Sequence, residues 1–331
     1  MIVNKLGNTG ICLSAIGLGA WAIGGGGYQY GWGEQDDNDS IATIHRAVEL
    51  GINWIDTAPV YGLGHSETVV GQAIKGLRDK IVISTKCGFR WDEDKKIFNS
   101  LKKESIKAEV EESLKRLNID VIDLYMIHKP RPEEDIEEAW AVLADLVKEG
   151  KVRYAGVSSF SAAQLQRIQP VHPVAFLQPG YSMLDPSIEE EILGYCAANN
   201  MGVIVYSPMY SGLLTGKFTK EKAENLPADD FRRLLDNFKE PYLGVNLGLV
   251  ERLREIAERH HRTAAQLAIA WVLRRPEVTS AIVGARRPSQ IEETVPAGDW
   301  VLSEEDKTGI EQILKEHHAL LKEFKVECSG S

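Results

Sequence analysis

The chain has 331 residues, 44% of them hydrophobic and 26% charged, and its 38 Lys and Arg against 48 Asp and Glu leave a formal charge of −10 at pH 7. That balance argues against a general nucleic-acid or anionic-membrane surface, and no apolar run approaches the ~18 residues that a membrane span requires. An anionic ligand must therefore meet a local basic site.

In chain order, the start MIVNKLGNTG lacks a secretory pattern, so a cytoplasmic location is the default expectation. Residues 2–7 and 11–14 flank Gly7-Asn8-Thr9-Gly10 and predict a hairpin. Beyond it, β-rich runs at 15–18, 53–56, 80–85, 121–127, 153–157, 174–178, 203–206 and 280–283 alternate with segments of helical period. Residues 40–50 place Ile41, Ile44, Ala47 and Val48 on one face and stop at Gly51. Residues 105–117 repeat the pattern before Asn118, and Ile136, Trp140, Leu143 and Val147 repeat it before Gly150. Eight such units predict one closed (β/α)8 TIM barrel over 1–325, because right-handed crossovers in one sense wrap into a ring. The long stretch 209–245 after the seventh strand is expected to be a lid over a ligand. A helix at 303–324 and a frayed tail at 326–331 complete the chain.

Cys12, Cys87, Cys196 and Cys328 lack the spacing of a metal or disulfide framework, and the Asn38-Asp39-Ser40 triplet needs secretion to matter. Gly24 to Gly27 lack the strand, helix and spacing of a dinucleotide fingerprint, and Gly212 to Lys217 is one residue short of a P-loop. His260-His261 has no carboxylate at ligand spacing, so no metal is expected.

Active sites of such barrels lie at the C-terminal strand ends. Asp56, Lys86 and His128 end three consecutive strand patterns, and Tyr61 follows Asp56 by five residues. Adjacent strands are ~4.8 Å apart, so these side chains can meet on one rim. A free tyrosine, with a pKa near ~10, is a poor proton donor at neutral pH; the Lys86 ammonium is expected to lower that value, with Asp56 anchoring the lysine and His128 donating to a carbonyl oxygen. Each residue alone is more often a cap or a packed polar group; the coincidence of four carries the reading of a site that protonates an alkoxide. A Schiff-base role for Lys86 is disfavoured because Asp56 holds the ammonium charged.

Gly51-Ile52-Asn53-Trp54-Ile55-Asp56-Thr57-Ala58 through Tyr61-Gly62, with Ser66-Glu67, resembles the aldo-keto reductase signature. Ser84-Thr85-Lys86, Asp123 to His128, Gly156-Val157-Ser158, Tyr206-Ser207-Pro208 and Gly284-Ala285 fall in the family's order. The resemblance implies reduction of a small carbonyl compound by NADPH, with NADH a weaker alternative, Tyr61 as general acid, Lys86 and Asp56 tuning it, and His128 orienting the carbonyl. It implies cofactor contacts at Ala20, Trp21, Asp56, Ser158, Ser159, Gln178, Tyr206, Ser207, Pro208, Met209, Ser211, Leu213, Lys217, Gly284, Arg286, Gln290 and Glu293. Among these, Ser158, Ser159 and Gln178 would hold the nicotinamide amide and Tyr206 would stack on its ring.

Independently, Arg286 and Arg287 followed by Pro288 at a first helical position suit the 2′-phosphate of NADP. Ser159, Lys129, Gln290 and Thr294 depart from the residues usual in the family, and the chain is closer to its bacterial and potassium-channel-β-like branches. A nucleotide-binding regulatory subunit with little turnover is the alternative, disfavoured by the presence of His128. Loops 21–32 and 89–99, the lid and the tail are expected to set specificity, with Trp32 and Trp91 either apolar pocket walls or exposed aromatics of an oligomer interface. A monomer is the default expectation.

Overall fold

A computed structural model describes residues 1–228 and 230–329, with side chains through Glu323. An antiparallel hairpin, β1 (Val3–Lys5) and β2 (Cys12–Ser14), precedes a run in which strands and helices alternate. That run is β3 (Ile16–Gly19), α1 (Asp37–Glu49), β4 (Trp54–Asp56), α2 (His65–Ala73), β5 (Val82–Cys87), β6 (Phe89–Trp91), β7 (Ile97–Asn99), α3 (Lys103–Leu117), β8 (Ile122–Ile127), α4 (Ile136–Lys148), β9 (Val152–Ser158), α5 (Ala162–Ile168), β10 (Phe176–Gln178), α6 (Ile192–Ala198) and β11 (Gly202–Val205). It continues through α7 (Lys220–Glu224), α8 (Tyr242–Arg259), α9 (Ala264–Leu273), β12 (Ser280–Gly284), α10 (Pro288–Thr294) and α11 (Glu304–Ser329). Strands β3, β4, β5, β8, β9, β10, β11 and β12 are parallel neighbours in that order, and β12 pairs back onto β3 to close the barrel. Among the described residues no helix is long and apolar enough to cross a membrane.

Every expected barrel strand forms, since each is mostly buried, with short exposed stretches as at Arg153 of β9, and is bounded by turn residues. Three expectations need correction, at the start of the first helix, at 89–99 and at the tail, and the lid gains internal structure. Helix α1 begins at Asp37 rather than at 40, since the Asp36 carboxylate accepts from the backbone N–H of Asn38 and Asp39 at 2.8 and 3.0 Å and caps it earlier. The segment 89–99, expected as a loop, folds into the hairpin β6–β7. The segment 209–245 carries α7, the start of α8 and several single helical turns, packed around an apolar cluster of Leu213, Phe218, Phe238 and Leu243. The last helix continues through Ser329 instead of fraying from 326, and Gly330 and Ser331 lie outside the described residues.

The barrel interior is filled from below by Leu6 and Leu13 of the β1–β2 region, packed with Trp54, Leu124, Met126, Phe176 and Ile204. Trp54 is fully buried, and its indole lies where a side chain at Gly17 would be: a Cβ there would come within 2.0 Å of the ring. A packed base of this kind leaves the opposite, C-terminal rim free to be hollow. We expect Gly17→Ala to force Trp54 off its position and cost about 2–3 kcal/mol, read as a lower urea midpoint at unchanged slope.

Candidate active site

The C-terminal ends of the strands open into a cavity of about 920 Å³. Strand alternation turns Ser84 and Lys86 to one side of β5, and both reach Asp56 at the end of β4. The Lys86 ammonium lies 2.7 Å from Asp56 Oδ2 and donates to the Thr57 carbonyl at 2.9 Å. Asp56 Oδ1 accepts from Ser84 Oγ at 2.9 Å and from Gln178 Nε2 at 2.8 Å. This ion pair is 1% exposed at Lys86 and 3% at Asp56. Above it, Lys86 Nζ is 5.1 Å from the Tyr61 ring centroid, and the Tyr61 and His128 rings meet edge to face at 5.9 Å.

The loop carrying Tyr61 is set by a backbone approach that the tetraglycine permits. A Cβ at Gly24 would lie 2.6 Å from the Gly62 nitrogen, and one at Gly62, where φ is +63°, 2.3 Å from the Gly24 carbonyl oxygen. Only two glycines let these chains touch.

The electrostatics differ from expectation at Tyr61. Burial pushes its phenol well above the ordinary value, and the Asp56 charge pushes the same way. The expected lowering by Lys86 does not emerge because the Asp56 carboxylate at 2.7 Å neutralises that ammonium, leaving desolvation dominant. Lys86 is itself lowered by burial, opposed by Asp56. Burial, then the charges of Lys86 and Lys129, hold His128 well below its ordinary value, so its imidazole is neutral and one ring nitrogen carries a hydrogen to donate. The phenol is loaded with its proton, and the arrangement can pass that proton to an oxygen placed between the two rings.

Trp21, Asp56, Tyr61, His128, Ser158, Gln178, Tyr206, Ser207, Pro208, Met209, Ser211, Lys217, Gly284, Arg286, Gln290 and Glu293 all line the cavity. Lys86 lies beneath it. Ser159 stands one step behind Tyr206, with its Oγ 3.2 Å from the phenolic oxygen. Ala20 and Leu213 do not reach the cavity with their side chains: Ala20 belongs to the barrel core and Leu213 packs inside the lid. Trp32 is a pocket wall, whereas Trp91 borders a separate depression beside Gly26 and Gly27.

The lid crosses the cavity through the Lys217–Glu293 ion pair, and its Phe231 ring packs on Trp21 and Trp32 at 4.7 and 4.9 Å. Arg232 sits 4.8 Å over the Trp32 ring. Nothing local in the sequence marks Phe231 or Arg232; the contact exists only once the lid after β11 and the loop after β3 share a rim. Left-handed backbone at Ser159, Ser207, Tyr210 and Ser211 is concentrated here, at a cost of order 1 kcal/mol or more each.

The size and lining of the cavity fit a nicotinamide dinucleotide. The Tyr206 ring forms a flat wall near Ser158 and Gln178, and at the far end Arg286 spends its guanidinium on Gln35 Oε1 and the carbonyls of Trp32 and Glu34. Among the described residues no carboxylate pairs with it. Fold and site together define a barrel oxidoreductase of carbonyl or alcohol groups. The profile of the Aldo/keto reductase family matches residues 15–315, and the chain belongs to that family.

The aldo-keto reductase YhdN of Bacillus subtilis (strain 168) is 39% identical over 318 residues, covering 95% of this chain and 94% of its own. The NADH-specific methylglyoxal reductase of Escherichia coli (strain K12) is 39% identical over 317 residues, covering 92% and 95%. The solved structure of the glycerol dehydrogenase AKR11B4 from Gluconobacter oxydans superposes with a TM-score of 0.86 at 36% identity, covering 95% of each chain.

The wall opposite the lid rests on Phe89, 4.8 Å from the His128 ring. Its anchor is Glu109 of α3, which accepts from the Gly88 N–H at 2.9 Å and from Ser105 Oγ at 3.1 Å. Burial raises this carboxyl from 4.5 to about 8, against the Gly88 bond, the Arg90 charge and Ser105. Between those two values the folded state holds a proton that the unfolded chain has released, so stability falls as pH rises across the window. We expect wild type to lose a few kcal/mol on that account between pH 5 and pH 8.5, and Glu109→Gln to flatten the slope in paired urea titrations; parallel slopes would refute the assignment.

Proposed function

We propose that the protein reduces an aldehyde or ketone to the alcohol, reversibly, with NADPH as the preferred cofactor. The observation that carries this is the convergence of a protonated Tyr61, a neutral His128 and the buried Lys86–Asp56 pair on one point of the rim. A bound nicotinamide supplies the hydride. Tyr206 would stack on its ring, and Ser158 and Gln178 would meet its amide. Lys217, Ser211 and the strained 207–212 backbone would follow the pyrophosphate beneath the lid, and Gly284, Gln290 and Glu293 would border the rest of the nucleotide.

His128 donates a hydrogen bond to the carbonyl oxygen, polarising it and fixing its lone pairs toward Tyr61. As negative charge develops on that oxygen, the Tyr61 hydroxyl transfers its proton to it. Lys86, its ammonium 5.1 Å from the Tyr61 ring centroid, then stabilises the phenolate until a proton returns from solvent. Asp56 keeps the ammonium in place. In the reverse direction the same phenolate accepts the alcohol's proton.

For the 2′-phosphate, Arg286 is half-buried without a carboxylate partner among the described residues, and burial plus the charges of Arg232 and Arg287 depress its pKa. An added anion would relieve that repulsion. The relative from Escherichia coli named as NADH-specific makes this preference a matter for direct titration.

Two measurements test the proposal. Tyr61→Phe should lower kcat for 4-nitrobenzaldehyde or methylglyoxal by roughly 10²–10⁴-fold, with the NADPH Kd from nucleotide fluorescence within about threefold of wild type; equal turnover sinks the assignment. Arg286→Gln should weaken NADPH by about tenfold or more relative to NADH. Taking the ratio removes any general effect of loosening the 32–35 loop, and an unchanged ratio moves the 2′-phosphate elsewhere.

A further inference from the structure

The charges around the cavity are unevenly compensated. Of the described residues lining it, the carboxylates are Asp56 and Glu293, and each is already paired, with Lys86 and with Lys217. Arg232 is paired with Asp230 at 2.6 Å. Three further lining cations are Lys129 and Arg131, just past His128 in the chain, and Lys222, which donates to the Lys217 carbonyl at 2.7 Å. Lys129 Nζ donates to two neutral hydroxyls, Ser159 Oγ at 2.8 Å and the Tyr206 phenol at 3.4 Å. Among the described residues neither Lys129 nor Arg131 meets a carboxylate. In a chain of formal charge −10, a half-buried ammonium left without a counterion beside the reacting groups is a selective feature, because desolvation without pairing is costly.

Lys129 follows His128 directly, so their Cα atoms are ~3.8 Å apart. Its charge is felt at the His128 ring, where it adds to the depression of the imidazole's basicity. An ammonium has three donors, and the two hydroxyls here occupy two. The third can reach an anion lying between Lys129 and the Tyr61–His128 point. Arg131, exposed at the mouth, extends the positive field outward along the entry path. The uncharged nicotinamide amide is expected beside Ser158, Ser159 and Gln178, so Lys129, bonded to Ser159, borders that site, and a neutral amide leaves its full charge without a counterion.

We propose that Lys129, assisted by Arg131, selects carbonyl substrates that carry a carboxylate a few atoms from the carbonyl, the oxocarboxylate class. This rests on the reductase reading above. The carboxylate would replace the hydroxyls as the ammonium's partner, holding the carbonyl oxygen between Tyr61 and His128. Lys129 is a specificity-determining residue in this role, since it meets the substrate away from the reacting atoms.

The test compares two pairs that share a carbonyl and differ in charge: 4-oxobutanoate with its methyl ester, and 4-carboxybenzaldehyde with its methyl ester. We expect wild type to show an acid-to-ester ratio of kcat/KM of about ten or more in at least the flexible pair, as one charge-assisted hydrogen bond provides. That ratio should shrink with added salt. Lys129→Met should bring it to about one, mainly through the acid's KM, and Lys129→Arg should keep it well above one. A wild-type ratio of one or less overturns the proposal while ester turnover leaves the reductase reading standing. A Lys129→Met ratio equal to wild type, with both substrates slowed alike, also overturns it and assigns the lysine to the cofactor side. Binding of NADPH with no turnover of acid, ester or 4-nitrobenzaldehyde overturns both readings.

Discussion

The ion pair between Lys86 and Asp56 is the constraint on which the site depends. Removing two charges from water costs several kcal/mol per ion, and their mutual attraction recovers this only when every remaining donor and acceptor is met. Here the carboxylate takes bonds from Ser84 and Gln178 in addition to the ammonium, and the ammonium adds the Thr57 carbonyl. These partners come from β4, β5, β10 and the turn after β4, so satisfying one buried pair ties together the barrel's near and far sides. Any shift in strand register would leave a charge unpaired, and the pair therefore enforces the geometry that Tyr61 and His128 inherit.

The same pair sets the protonation of the site. Because Lys86 is matched by Asp56 at contact distance, its field at Tyr61 is muted, and burial keeps the phenol protonated. A resting site of this kind holds its proton ready, and the lysine's charge matters most after the proton has left, when a phenolate faces it. The position of Lys86 near the end of β5 and its pairing with Asp56 were both legible from the sequence; that burial would outweigh the paired ammonium at Tyr61 was not.

That distinction runs through the whole chain. The barrel strands were legible because burial makes each a mostly apolar run, and the rim residues were legible because a strand's last polar residue has one place to point. Helix α1 starts earlier than its apolar stripe because a single carboxylate, Asp36, caps it. The β6–β7 hairpin, the packing of Leu213 inside the lid and the meeting of Phe231 with Trp21 and Trp32 depend on contacts between segments far apart in sequence, which no local period encodes. The tetraglycine serves backbone packing, since Gly24 makes room for Gly62 beside Tyr61.

The cavity's polarity follows from how charge is distributed around the rim. Cations at the Arg286 end stand where an anionic nucleotide would run, and the lid closes over that end through Lys217 and Glu293. Beside His128, Phe89 gives an apolar wall while Lys129 and Arg131 give charge that no carboxylate among the described residues answers. Between them the reacting point carries a neutral imidazole, a neutral phenol and a compensated ion pair, with no net charge to repel an approaching anion. A barrel with a formal charge of −10 can thus present a positive path to one small site, and the proposed selectivity of that path depends on Lys129 having hydroxyls for partners instead of a carboxylate.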